Sequence, residues 1–105
     1  MTTNIVEMVV TAYCACTICC GKHARGLTAN GKPPIEGHTI AASRRLVYGT
    51  TIIINGHAYK IEDRLAKRYD DRVDIYIQEH SAAKHWGKQT LRVTIITPTS
   101  VPRVK

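Results

Sequence analysis

Apolar residues in this chain gather in short runs of branched side chains, each followed by turn-forming residues. Ile5–Tyr13 mixes branched and aromatic residues, with Glu7 and Thr11 among apolar neighbours, and reads as a strand. His38–Ala42, Thr50–Ile54, His57–Glu62, Val73–Ile77 and Leu91–Ile96 are further runs of strand length. Asn55-Gly56, between the runs Thr50–Ile54 and His57–Glu62, predicts a hairpin closed by a type I′ turn, whose two central residues need the positive φ that Asn and Gly tolerate. Ser81–Trp86 reads as one or two helical turns, with Ser81 as N-cap and Gly87 closing the helix.

Between the first two strands, Cys14 to Pro34 is rich in Gly, Thr, Asn and Lys and ends in Pro33-Pro34, which marks a long irregular excursion. In a small domain such a loop is functional or stapled. Thr97–Lys105, with two prolines and a basic end, is expected to be a flexible tail. No internal repeat or low-complexity segment interrupts the pattern. Six short strands and one small helix in 105 residues predict a single domain spanning residues 1–105. A closed barrel is the economical way to leave no sheet edge exposed. Composition agrees: Ile, Val and Ala dominate, Phe is absent and Trp occurs once, which favours β-structure over a helical bundle.

Charge narrows the partners. Fifteen Lys and Arg against eight Asp and Glu give +7, which points to a polyanion: nucleic acid, an anionic membrane surface or an anionic cell wall. The excess is spread along the chain, and an ordinary solvated basic surface is the competing reading. Aromatic content of 6% and the lack of a recognition-helix or stacking-strand pattern argue against specific nucleic-acid binding. No apolar stretch is long enough to span a bilayer, and Met1-Thr2-Thr3-Asn4 runs into a strand instead of a charged n-region, so the chain as given is expected to be soluble and without an export signal.

Cys14-Ala15-Cys16-Thr17-Ile18-Cys19-Cys20, with His23 nearby, crowds four thiols and an imidazole together. Cys16-x-x-Cys19 is one half of a zinc knuckle, but a second pair normally comes from a distant segment and the sequence offers none. Disulfides would staple the loop in an oxidising compartment, although adjacent Cys19 and Cys20 pair poorly. Disulfides or reduced thiols therefore rank above zinc, and neither a metal nor a cofactor is expected. A nucleophilic cysteine would need His38, His57, His80 or His85 to meet it in space, and no local signature supports that.

The candidate chemistry lies in two acids. Asp74 interrupts the apolar run Val73-Asp74-Ile75-Tyr76, where an ionised side chain is costly, so partial burial would raise its pKa. Asp63 ends Lys60-Ile61-Glu62-Asp63, and a second carboxylate close by would raise Asp74 further. Against this, an Asp on a strand more often faces solvent. Asp70 and Asp71, beside Arg68 and Arg72, read as surface charge or turn formers. Tyr48, Tyr76 and Trp86 offer rings that can stack on sugars, but a lone Trp before a closing glycine is more often a core anchor.

Taken together in their order, three segments resemble the three-aspartate, or 3D, domain. The first is Val10-Thr11-Ala12-Tyr13-Cys14 with Cys19-Cys20-Gly21-Lys22 and Gly26-Leu27-Thr28-Ala29-Asn30-Gly31; the second is Thr39-Ile40-Ala41-Ala42 with Tyr48-Gly49-Thr50. The third is Glu62-Asp63 with Arg72-Val73-Asp74-Ile75-Tyr76, then Ala82 or Ala83 and Trp86-Gly87. The resemblance implies a six-stranded double-psi β-barrel with one short helix, the fold shared with membrane-bound lytic transglycosylase A. It puts the family's second and third aspartates on Asp63 and Asp74, eleven positions apart, and its first on Ser43, a departure because a hydroxyl cannot serve as a carboxylate. The glycine-rich link usual between those aspartates is here Arg64-Leu65-Ala66-Lys67-Arg68-Tyr69-Asp70-Asp71.

That resemblance implies a lytic transglycosylase. Such an enzyme cleaves the β-1,4 bond between N-acetylmuramic acid and N-acetylglucosamine in peptidoglycan, leaving a 1,6-anhydro end, with Asp74 as acid/base and Asp63 as its helper. Thr28, Asn30, Gly31, Ser43 and Tyr76 are the candidate sugar-binding residues, with plain turn chemistry the alternative for the segment from Thr28 to Gly31. A monomer acting on glycan strands at the bacterial wall, in the periplasm or outside the cell, is expected, a phage-type lysin being one natural setting. The rival readings are a non-catalytic wall-binding barrel, which Ser43 keeps open, and a basic nucleic-acid-binding protein with a small zinc cluster.

Overall fold

The computed structural model describes residues 2–14, 27–29, 31–65, 69 and 71–98. The fold is mainly β. Strands β1 (Thr2–Tyr13), β2 (Thr39–Ala42), β3 (Thr51–Ile54), β4 (His57–Arg64), β5 (Arg72–Tyr76) and β6 (Gln89–Thr97) close into a barrel in the order β1-β5-β2-β4-β3-β6. Helix α1 (His80–Trp86) connects β5 to β6 and packs on β1. The closed six-stranded barrel with one short helix among the described residues is the architecture that the sequence implied.

Two of the ladders are parallel, β1 with β5 and β2 with β4, and the other four are antiparallel. Parallel neighbours cannot be joined by a tight turn, so the chain must cross over to build them. The hairpin between β3 and β4 is the predicted one: Ile54 pairs with His57, and Asn55 and Gly56 adopt φ of 51° and 79°. Positive φ at both central positions matches the right-handed twist of the flanking strands.

Alternation along the strands fills the barrel. Val10, Ile40, Ala42, Ile52, Ile54, Ile61, Val73, Ile75, Val93 and Ile95 form the core, with Met8, Leu91 and Trp86 packed against it. The Trp86 indole donates to the Val10 carbonyl at 3.1 Å, which makes this ring the core anchor that a lone Trp more often is. Gly87, with φ of 71°, closes α1 as expected.

Sequence and structure differ at some element ends. β1 begins at Thr2, because the polar residues before Ile5 join a ladder that pairs Thr2 with Thr97 and Asn4 with Ile95. Thr2 and Thr3 are β-branched and suit a strand, and the partner strand overrides only the weak β-propensity of Asn4. The N-cap of α1 is Glu79 and not Ser81. Glu79 has extended backbone without a side-chain cap bond, and its carbonyl accepts from the Ala83 amide at 3.0 Å, so Ser81 already lies inside the helix. Thr97 ends β6, while 99–105, most of the expected tail, falls outside the described residues. No helix among the described residues is long and apolar enough to cross a membrane.

Candidate active site

Strand register assembles the site. Asp74 on β5 lies opposite Thr11 of β1 on one side and opposite Ala41 of β2 on the other. Ala41 in turn lies opposite Asp63 of β4. Thr11, Asp74, Ala41 and Asp63 thus form one row across four neighbouring strands. Val73 and Ile75 belong to the core, so alternation turns Asp74 to the outer wall of the barrel.

Asp63 reaches the row by a different route. Ile61 is in the core and pairs with Ile40, and regular alternation would send Asp63 inward as well. The β2–β4 ladder instead shifts between Ile40 and Ala41, so that the next pair is Ala41 with Asp63 and Glu62 is passed over. Such a bulge re-aims the side chains that follow it. Glu62 is held in place by Thr39, whose hydroxyl donates to it at 2.8 Å, and by His38 at 3.2 Å.

The two carboxyl groups have unlike surroundings. Asp63 accepts from the Tyr13 hydroxyl at 2.8 Å, the Ala29 amide at 2.7 Å and the Arg64 amide at 2.8 Å. Asp74 accepts from the Thr11 hydroxyl at 3.1 Å. Burial pushes the Asp74 carboxyl up from 3.8 to about 6; the Thr11 bond works against this, Asp63 adds to it, and Arg72 draws it down. Burial is thus the main cause and the neighbouring carboxylate a smaller one.

The other sequence candidates fall into three groups. Thr28 and Gly31 build a turn: the Lys32 amide donates to the Thr28 hydroxyl at 3.3 Å and the Gly31 amide to the Thr28 carbonyl at 2.9 Å. Gly31 has φ of 86° with open space where a Cβ would stand, so backbone conformation, not crowding, calls for glycine there. The turn aims the Ala29 amide at Asp63, so this segment meets the acidic row through its backbone. Asn30 lies outside the described residues, as do Cys16, Cys19, Cys20, His23 and Asp70.

Tyr76 is buried and its ring meets the Tyr13 ring edge-on at 5.6 Å. Ser43 is buried in a turn, accepting from the Arg45 amide at 3.0 Å, while its carbonyl and that of Leu46 accept from the Arg64 guanidinium at 2.8 and 2.6 Å. It lines a pocket of about 160 Å³ together with Met8, Arg45, Leu46, Arg72 and Ile95. Tyr48 is exposed and carries the Arg64 guanidinium 4.0 Å from its ring centroid, so one of its two faces is already covered.

Thr11 and Tyr13 contact the two aspartates but received no role from the sequence. A signal was present: Thr11 and Tyr13 are spaced by two on one strand, and their β5 partners Asp74 and Tyr76 are spaced likewise, so all four share one face. What the sequence lacked was the pairing of β1 with β5.

Site and fold together define a closed β-barrel whose outer wall carries a half-buried aspartate with its pKa raised to about 6 and a hydrogen-bonded second one. The chain matches no protein-family model. It is 26% identical over 98 residues to a protein of Bacillus subtilis (strain 168) named "Putative cell wall shaping protein YabE". That match takes in 90% of this chain and 24% of the relative, so the chain spans about a quarter of that protein's length.

Proposed function

We propose that this barrel acts on the bacterial cell wall as a lytic transglycosylase, with Asp74 the acid/base and Asp63 the residue that tunes it. One observation carries the reading: a carboxyl raised to about 6 stands in a row with a second carboxylate that holds three donors of its own. The likeness to a cell-wall-shaping protein supports the substrate class, and the +7 charge suits residence on anionic wall polymers.

The chemistry needs one proton carrier. Protonated Asp74 gives its proton to the glycosidic oxygen as the bond from the anomeric carbon of N-acetylmuramic acid breaks. The resulting carboxylate accepts the proton of that sugar's own 6-hydroxyl as O6 bonds to the anomeric carbon, which closes the 1,6-anhydro ring and restores the starting acid. No water enters. Thr11 holds the Asp74 carboxyl in place, while Tyr13, Ala29 and the Arg64 amide fix Asp63, whose charge favours the protonated form of Asp74. A phage-type lysin is one setting for such a catalyst.

A second reading, a wall-binding barrel without catalysis, is favoured by Ser43. The position that the 3D domain fills with its first aspartate is here a turn hydroxyl bonded to the Arg45 amide, and it supplies no carboxylate. Digestion of purified peptidoglycan separates the two. Transglycosylase action leaves 1,6-anhydro ends lighter by one water than hydrolytic ends; hydrolytic ends would reassign the reaction, and binding without products would establish the non-catalytic reading.

A further inference from the structure

Barrel closure covers a strand edge only as far as the neighbouring strand reaches. β1 is twelve residues long and β5 five, and the ladder between them runs from Val9 to Tyr13. Before Val9, β1 pairs with β6 on one side, and among the described residues no strand lies on the other. Thr2–Glu7 are all exposed, Ile5 at 64% and Val6 at 39%. Alternate residues of Thr2–Met8 therefore present backbone N–H and C=O groups to the place where β5 would continue.

Natural edge strands are defended against pairing by Lys, by Pro or by bulges. This one has none of them. Thr2–Met8 holds a single charge, Glu7, in a chain with fifteen Lys and Arg, and its ladder with β6 keeps one register from Thr2 to Val10. Such an edge takes another extended backbone as its partner.

The pocket at the end of the edge sets what that partner carries. Met8, the last residue of the open stretch, shares it with Leu46 and Ile95, which give it apolar walls, and with Ser43, Arg45 and Arg72. Arg72 begins β5 and lies opposite Val9, so a strand laid parallel to β1 runs toward it and must stop there. Its terminal carboxylate then meets Arg45 and Arg72, and its last inward side chain enters between Met8, Leu46 and Ile95. Arg72 also holds Asp71 at 3.4 Å, an exposed pair that a carboxylate can displace at little cost. A chain running the other way would bring its amino end to the same two guanidiniums and be repelled, and this includes a second copy pairing β1 antiparallel with β1.

We propose that the edge of Thr2–Met8 binds the carboxyl-terminal segment of an extended peptide, laid parallel to β1. An apolar last residue fills the pocket of Met8, Leu46 and Ile95, and the free carboxylate sits on Arg45 and Arg72. Neither aspartate of the row takes part, so the site stands apart from the transglycosylase reading.

The probes are N-terminally fluorescent hexapeptides that alternate threonine and valine and end in alanine, valine, leucine or phenylalanine, each made as free acid and as amide. Fluorescence anisotropy should show binding of at least one acid, with its amide weaker by roughly ten-fold or more, the loss expected for a charge-assisted hydrogen bond. Arg45→Ala, at an exposed position, should weaken the acid by a similar factor and leave the amide unchanged. Bound acid should slow amide hydrogen exchange at alternate residues of Thr2–Met8, a pattern that a peptide held by the pocket alone would not produce. Equal binding of acid and amide would overturn the proposal, as would failure of every acid to bind or protection confined to other strands. Exchange slowed at the same residues by raising the protein concentration, with no peptide present, would assign the edge to a second copy and overturn it likewise.

Discussion

Asp63 and Asp74 flank the same alanine, yet the chain puts them there by different means and gives them different environments. On β5 plain alternation suffices, because Asp74 sits between two core residues and has no other face to occupy. On β4 the alternation has to be broken, and Glu62 takes up the extra residue. Asp63 ends among three donors, and Asp74 ends half-buried with a single hydroxyl. One residue type therefore becomes an anchored carboxylate in one place and a carboxyl of raised pKa in the other. Local donors and burial decide which, not the identity of the acid.

The largest effect should come from removing the proton carrier. Asp74→Asn keeps the shape but can neither give nor take a proton, and glycan cleavage should fall by about a hundred- to ten-thousand-fold, read as muropeptides from digested peptidoglycan. Full activity in this variant would remove Asp74 from the mechanism.

The same substitution should stabilise the fold. The folded-state pKa of Asp74 is about 6 against an ordinary 3.8, so the native chain holds a proton that the unfolded chain has released between those values. Stability is then lost as pH rises through that window, and above it the ionised group costs on the order of 3 kcal/mol. Asp74→Asn should flatten this slope and shift the neutral-pH urea midpoint upward. An unchanged midpoint would mean that Asp74 ionises without cost.

Asp63→Asn tests the other half of the comparison. Removing its charge lowers the Asp74 pKa, so the alkaline limb of the pH–rate profile should move to lower pH and activity should drop less than in Asp74→Asn. Tyr13→Phe deletes one of three donors but keeps the Asp63 charge, so it should cost less activity than Asp63→Asn and leave the alkaline limb where it is in the wild type. A profile unmoved by Asp63→Asn would show that burial alone sets Asp74. The smallest effect expected is on wall binding, which should weaken as ionic strength rises because the +7 charge is screened.

Much of this was legible in the sequence because it depends on local pattern. Short branched runs, the Asn55-Gly56 turn and an acid set between Val73 and Ile75 each carry their meaning within a few residues. The Ser81 cap was misread because a hydroxyl near a helix start is a weak signal; the Glu79 backbone began the helix without a side-chain cap.

What the sequence determined by itself was a β-rich chain of barrel size, its strand faces and the acid most costly to ionise. Only the tertiary structure decided which strands lie side by side, and the chemistry depends on that. β1 against β5 brings Thr11 to Asp74, the bulge of β4 against β2 brings Asp63 into line, and α1 brings His80 to Cys14. Pairings between segments dozens of positions apart are set by closure of the barrel around one shared core, a condition that no short stretch of residues expresses.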